Sequence, residues 1–265
     1  MGEENFRYRK IAVIGNTKLT LKSLQRLVHP LCICCHYDIK YVFGLPEVMF
    51  KNKVNAVSLV EFCHYNNITY NNSNDWKIFK DDCEALGVDL VIALGDSRIV
   101  PSTVINRFET IGNHGAVLPY VQGGASLVWG RMLNSGEWGV SIFRLEEKVD
   151  AGDILKTKTF TYSTDIDMLE FTRRADDLTV EALLECLCSD IKSTDNHKWR
   201  VNVAKHTDSQ LVVKLLKSCL ATNTAIYLPP RNYHDAYINR RWSSKFKKLF
   251  KIANNDPYPT WRPLK

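Results

Sequence analysis

Apolar and polar positions alternate in blocks along the first hundred residues. KIAVIG at 10 to 15 is a short apolar run ending on Gly15, and in the following NTKLTLKSLQRLV, Leu21, Leu24, Leu27 and Val28 recur at helical spacing. This predicts a strand, a turn and a helix. LCICC at 31 to 35 reads as a second buried strand, VNAVSLVEFCHYNN at 54 to 67 as a helix with Val57, Val60 and Phe62 near one face, and residues 68 to 70 as a brief third strand. A helix is predicted over 76 to 86, and VDLVIALG at 88 to 95 is apolar on both faces, as a central parallel strand requires. Alternating strands and helices give an α/β class with a doubly wound, Rossmann-like, mainly parallel sheet. Ligands in such sheets sit beyond the carboxyl ends of the strands.

From 111 to 155 glycine and proline are dense around the helix-like ASLVWGRML, and the first half of this stretch reads mostly as loop. GVSIFRL at 139 to 145 reads as a strand, and Leu169, Phe171, Leu178, Leu183, Leu184 and Leu187 predict a helix over 166 to 190. STDNHK at 193 to 198 is a polar break. After it WRVNVAKH alternates, 209 to 220 turns helical, AIYL gives a short strand, and Pro229 and Pro230 break the pattern. A last helix over about 233 to 252 puts Ile238, Trp242, Phe246, Leu249 and Phe250 on one face and Arg240, Arg241, Lys245, Lys247, Lys248 and Lys251 elsewhere. Docking by the aromatic stripe with a solvated basic face is the plain reading; membrane-surface or RNA contact is the other. The division expected is a large domain over 1–190 and a small C-terminal α+β module over 191–265.

Composition narrows this little. At 265 residues with 45% hydrophobic and 24% charged positions, the chain has ordinary globular proportions, which excludes a disordered or fibrous protein. No apolar run reaches the ~20 residues of a membrane span, and MGEENFRYRK lacks the apolar core of a signal peptide, so a cytoplasmic protein without a membrane span is expected. Cys32, Cys34, Cys35, Cys186 and Cys188 fall inside apolar segments and read as reduced, buried thiols. No paired CxxC or HxxxH spacing accompanies them, so no metal is expected. Charge is uneven: residues 231 to 265 hold nine Lys or Arg against Asp235 and Asp256, a net of +7, which leaves −1 for the rest of a chain whose total is +6. A basic tail on a near-neutral body points to a local anionic partner, of which phosphate is the simplest.

Two motifs carry the chemistry. HGAVLPYVQG at 114 to 123 is similar to the His-x-Ser-Leu-Leu-Pro-x-Tyr-Arg-Gly run of the folate-dependent formyltransferases, and VDAGDIL at 149 to 155 is similar to their Leu-Asp-x-Gly-x-Ile-Leu. The 36-residue interval from His114 to Asp150 is close to that between the family's catalytic His and Asp. Either motif alone is short; together, in this order and interval, they are specific. The chain therefore resembles that family over roughly residues 8 to 190, and its AVIGN segment is most like the enzymes that formylate nucleotide-linked amino sugars.

The resemblance implies transfer of a formyl group from N10-formyltetrahydrofolate to a primary amine, with His114 and Asp150 as the catalytic pair. An imidazolium at His114 suits an oxyanion developing on the formyl oxygen, and a neighbouring carboxylate stabilises that charge and can position a proton-carrying water. Where the family has a catalytic Asn two residues before the His, this chain has Gly112, and Asn113 becomes the candidate oxyanion donor, with a backbone N–H as the alternative. The resemblance also assigns donor binding to Arg98, Ile99 and Val100 at a strand end, and to Leu145, Glu147 and Val149 in the loop before Asp150. Gln122 stands where many members carry Arg or Lys, and is the candidate substrate-binding residue. The acceptor expected is a nucleotide-linked deoxy amino sugar, with methionyl-tRNA as runner-up on account of the basic tail. An inactive folate- or nucleotide-binding protein is the alternative of another class, and a homodimer is possible.

Overall fold

The computed structural model describes residues 9–29, 37–188, 193–196, 198, 200–205, 207–231, 233–258 and 262–263. β1 (Arg9–Ile14), α1 (Lys18–Leu27) and β2 (Tyr37–Phe43) lead, after a 3-10 turn at Glu47–Asn52, to α2 (Val60–Tyr65), β3 (Thr69–Asn71) and α3 (Trp76–Leu86). β4 (Leu90–Ala93), α4 (Ser102–Ile105), β5 (Glu109–His114), β6 (Val121–Gly123), α5 (Ser126–Leu133), β7 (Glu137–Arg144) and β8 (Ile154–Thr161) come next. The chain ends with α6 (Met168–Cys188), β9 (Arg200–Asn202), α7 (Ser209–Ala221), β10 (Ala225–Leu228) and α8 (Ser244–Ala253).

Seven strands form a mostly parallel sheet in the order β3-β2-β1-β4-β5-β7-β8, which is the doubly wound α/β class expected. The pairs β1–β2, β1–β4, β2–β3 and β4–β5 are parallel and β7–β8 is antiparallel. The chain winds outward through β2 and β3, then returns to place β4 beside β1. Right-handed crossovers therefore put α1 and α2 on one face and α3 and α4 on the other, with the switch point between β1 and β4.

Contacts group the described residues into two compact units whose limits differ from the 190/191 division. One runs to Asn113 and includes Arg144–Lys148 and the end of α6 from Leu183; the other contains His114–Phe143, Val149–Ala182 and the described residues after 192. In the first, residues 11–14 of β1 are fully buried because helices cover both faces, and Tyr41, Phe43 and Phe79 stack beside Val91, Val100 and Val104. In the second, β6, β10 and β9 form a parallel three-stranded sheet, with α7 as the β9–β10 crossover. Trp129 and Met132 of α5, Phe171 of α6, Leu216 of α7, Leu228 of β10 and Phe246 and Phe250 of α8 share one core. The C-terminal segment thus finishes a core begun at residue 114. Its basic helix is docked by its aromatic stripe, with Trp242 4.7 Å from Phe250.

Arg231 ties this core together. Its guanidinium lies 4.7 Å from the Trp129 ring and donates to the Asp235 carbonyl and to Asn254 Oδ1, while burial pulls its pKa down to about 10.

Several elements differ from the sequence reading. The strand expected at 31–35 lies outside the described residues, and β2 occupies Tyr37–Phe43. The helix expected over 54–67 is confined to Val60–Tyr65, because Ala56 bridges Thr17 and Val57 N–H donates to the Asn16 carbonyl. The stretch before residue 124 is not mostly loop: β5 runs to His114, and β6 follows at Val121. The last helix starts only at Ser244, where the Ser243 hydroxyl caps it by accepting the Phe246 N–H. Cys188 is disulfide-bonded rather than reduced, whereas Cys186 is a free thiol; Cys32, Cys34 and Cys35 lie outside the described residues.

Candidate active site

His114 is the last residue of β5, and the loop after it is fastened by side chains of β7. The Trp138 indole N–H donates to the Gly115 carbonyl at 2.8 Å; Ser141 Oγ donates to the Ala116 carbonyl at 2.9 Å and accepts the Leu118 N–H at 3.0 Å. The loop returns as β6, whose backbone holds both members of the pair. The Val121 carbonyl lies 3.0 Å from His114 Nε2, and the Gly123 N–H donates to Asp150 Oδ2 at 2.8 Å. His114 Nδ1 faces Asp150 Oδ1 at 3.6 Å, with both side chains about nine-tenths buried. A carbonyl only accepts, so Nε2 must carry a proton; Nδ1 then meets a carboxylate favourably only when it is protonated too. The site thus sets the His114 ring between a backbone carbonyl and the Asp150 carboxylate.

Asp150 stands in the left-handed region at φ 54°. Asn196 clamps it there, donating through Nδ2 to the carbonyls of Asp150 and Gly152 at 2.9 and 3.0 Å. Gly123 is required where it stands. At φ +96° an added Cβ would lie 2.1 Å from the Leu228 carbonyl oxygen, so only glycine lets β6 approach β10.

Gln122, between the two backbone anchors, is buried, and its Oε1 accepts from an Nη1 of Arg200 on β9. Arg200 also lies 4.5 Å from the Tyr227 ring, and Lys198 lies 4.3 Å from the Tyr120 ring. Gln122 is thus committed to the half-buried Arg200, and of the two cations Lys198 is the exposed one. The sequence carried no sign of this: register across β6, β10 and β9 brings positions 122, 227 and 202 level, and Arg200 reaches Gln122 from two residues before Asn202.

The remaining candidates, except Val149, belong to the first unit. Adjacent strand residues point to opposite sides, so Asn113 turns away from His114; its Oδ1 accepts the Gly95 N–H at 3.0 Å, and its Nδ2 has no hydrogen-bond partner among the described residues. A Cβ at Gly112 would lie 2.8 Å from Leu145 Cδ2, so the place of the missing Asn side chain is taken by leucine. The Arg98 side chain is committed inward: Nε and Nη2 donate to Asp96 Oδ2, Nη2 also donates to the Phe43 carbonyl, and the guanidinium lies 4.7 Å from the Phe43 ring. Burial alone would raise the Asp96 pKa, but Arg98 and Lys53, whose Nζ is 3.1 Å away, hold it below its ordinary value. The Arg98 backbone N–H is committed as well, donating to Asp96 Oδ1 at 2.8 Å, which leaves its carbonyl and a buried Nη1 without a partner among the described residues. Val100 joins the core, whereas Ile99 is 72% exposed at the strand end; Val149 and Glu147 are also exposed, and Leu145 is half-buried.

Residues 43–187, more than half of the chain, match the family model described as formyl transferase. A curated relative named methionyl-tRNA formyltransferase, from Prochlorococcus marinus subsp. pastoris, is 28% identical over 131 residues, which cover 49% of this chain and 40% of the relative. The chain thus spans less than half the length of that relative. Among solved structures, a 4-N formyltransferase from Francisella tularensis superposes with a TM-score of 0.69 at 13% identity, covering 98% of this chain and 93% of that one. The N-formyltransferase from Helicobacter canadensis, solved with folinic acid and dTDP-3-aminofucose, gives a TM-score of 0.60 at 14% identity, covering 92% and 80%.

Proposed function

The chain belongs to the formyl transferase family, and from that membership we propose that it moves a formyl group from N10-formyltetrahydrofolate to the primary amine of a nucleotide-linked amino sugar. The observation that carries the chemistry is the buried His114–Asp150 pair, with each member anchored by β6. The acceptor nitrogen attacks the formyl carbon, whose carbonyl oxygen becomes an oxyanion. The new ammonium loses a proton, the bond from carbon to N10 breaks, and N10 takes a proton as tetrahydrofolate leaves. The His114 imidazolium supplies the compensating positive charge. At ~4 Å and an effective dielectric near 20, such a charge is worth about 4 kcal/mol, enough for roughly 10³-fold in rate. Asp150 orients the ring, and its carboxylate receives the proton shed by the attacking amine and hands that same proton on to N10.

Donor binding is assigned to the backbone of Arg98, Ile99 and Val100 and to Leu145, Glu147 and Val149. With the Asn113 side chain turned away from His114 and its Oδ1 held by the Gly95 N–H, the oxyanion donor we propose is the alternative, a backbone N–H. The acceptor assignment is supported by Arg200 on β9, over the Tyr227 ring, and Lys198 just before that strand, over the Tyr120 ring, two cations of a chemistry suited to a diphosphate. It is also supported by the dTDP-sugar complex of the H. canadensis protein. Methionyl-tRNA is the second reading, favoured by the name of the P. marinus relative.

Release of tetrahydrofolate is to be measured with a panel of uridine-, thymidine- and guanosine-linked amino sugars and with methionyl-tRNA. Turnover on a nucleotide sugar, weakened through KM by Arg200→Ala, is the expected result. Turnover on methionyl-tRNA alone would replace the acceptor assignment, and folate binding without turnover on any acceptor would make this an inactive member.

A further inference from the structure

Asp150 occupies a left-handed conformation that a non-glycine residue seldom holds unaided, and its Oδ1 must stand opposite His114 Nδ1. The only described side chain that grips the backbone of this turn comes from the polar break at 193–198, which the sequence marks merely as a linker. Asn196 is 1% exposed, and its Nδ2 meets the carbonyls on either side of Ala151, those of Asp150 and Gly152, at 2.9 and 3.0 Å. Two donor protons meet two acceptors. The segment is registered against the turn by a reciprocal bridge in which Thr194 and Ile154 exchange N–H and carbonyl at 2.8 Å in both directions.

The other end of the same carboxamide is what distinguishes this contact from packing. Asn196 Oδ1 is buried and has no hydrogen-bond partner among the described residues. An unpaired buried oxygen costs stability, so an apolar side chain would serve better if filling space were the only requirement. The amide is instead kept for its two N–H groups. We propose that Asn196 is a positioning residue for the formyl-transfer site: by holding the backbone of the 150–152 turn, it fixes the Asp150 carboxylate against the His114 ring. The inference rests on the proposed function for its catalytic meaning but not for its geometry.

The test compares Asn196→Ala, which removes both donors, and Asn196→Asp, which sets a carboxylate oxygen against the two carbonyls, with wild type and Asp150→Asn. The ring ¹⁵N signals of His114, assigned with His114→Ala, are recorded without substrates, and steady-state kinetics are measured where turnover exists. The expected result is that the His114 Nδ1 signal moves towards its position in Asp150→Asn in both variants. A kcat loss of about 10- to 10²-fold should accompany it, with KM for donor and acceptor changed by less than about twofold. A wild-type His114 signal in a folded variant would overturn the proposal, as would a kcat loss matched by KM. Failure of both variants to fold would assign Asn196 to stability alone and overturn it too. If wild type turns over no acceptor, the proposed function fails, and the His114 signal decides the role of Asn196 separately.

Discussion

The Asp96 carboxylate sits between two cations, and its removal should act as a charge defect rather than as a cavity. Its side chain is 1% exposed, against 10% for Lys53 and 11% for Arg98. Asp96→Asn leaves two buried cations without their counter-ion, and a loss of about 3 kcal/mol is expected. The folded-state pKa is depressed below 3.8, so the stabilisation is complete above that value and is lost as pH falls through the folded-state value. Thermal unfolding should therefore separate the variant from wild type at neutral pH, and the gap should narrow only below about pH 3.8. A constant gap down to that pH and beyond would refute the ion-pair account. At Gly112 the conflict is steric. Gly112→Asn drives a side chain into Leu145 and should cost about 1–3 kcal/mol, part of it recovered in the double variant with Leu145→Ala; equal losses in the single and double variants would show that the leucine is not the obstacle.

Among the elements, β6 has the largest functional leverage for its size. Gly123→Ala pushes a Cβ against the Leu228 carbonyl while displacing the N–H that holds Asp150, so melting temperature and kcat should fall together. Trp242→Ala, in the aromatic cluster at α8, should cost about 3–5 kcal/mol with kcat of the folded fraction unchanged; a kcat loss there would tie α8 to the chemistry. The same contrast marks what could be read from the sequence. α3 was legible to the residue because Asp75 caps it and Gly87 ends it in a left-handed turn, both local signals. β4 was legible because burial on both faces leaves an unbroken apolar run. β5 was obscured by Gly112 and Gly115, glycines that serve close packing against Leu145, Ser126 and Leu127 rather than a loop. His114 and Asp150 were singled out through paired motifs, whereas Asn196 and Arg200 were not, since one sits in a polar break and the other reaches Gln122 from two residues before the strand position level with it.

At the scale of the whole molecule, residues after 192 supply the core partners of Trp129, Met132 and Phe171. A chain truncated after residue 190 should lack a cooperative melting transition, as measured by calorimetry; a sharp transition would show that 1–190 folds alone. Of the nine basic residues after position 230, Lys245, Lys247, Lys248 and Lys251 lie on the docked helix α8, whereas Arg231 is committed to the core. The central claim is that the His114–Asp150 pair transfers a formyl group, and single-turnover formation of tetrahydrofolate with the best nucleotide amino sugar tests it most directly. The account expects the rate to fall about 10²- to 10³-fold in both His114→Ala and Asp150→Asn, with N10-formyltetrahydrofolate still bound. Wild-type rates in either variant would contradict it.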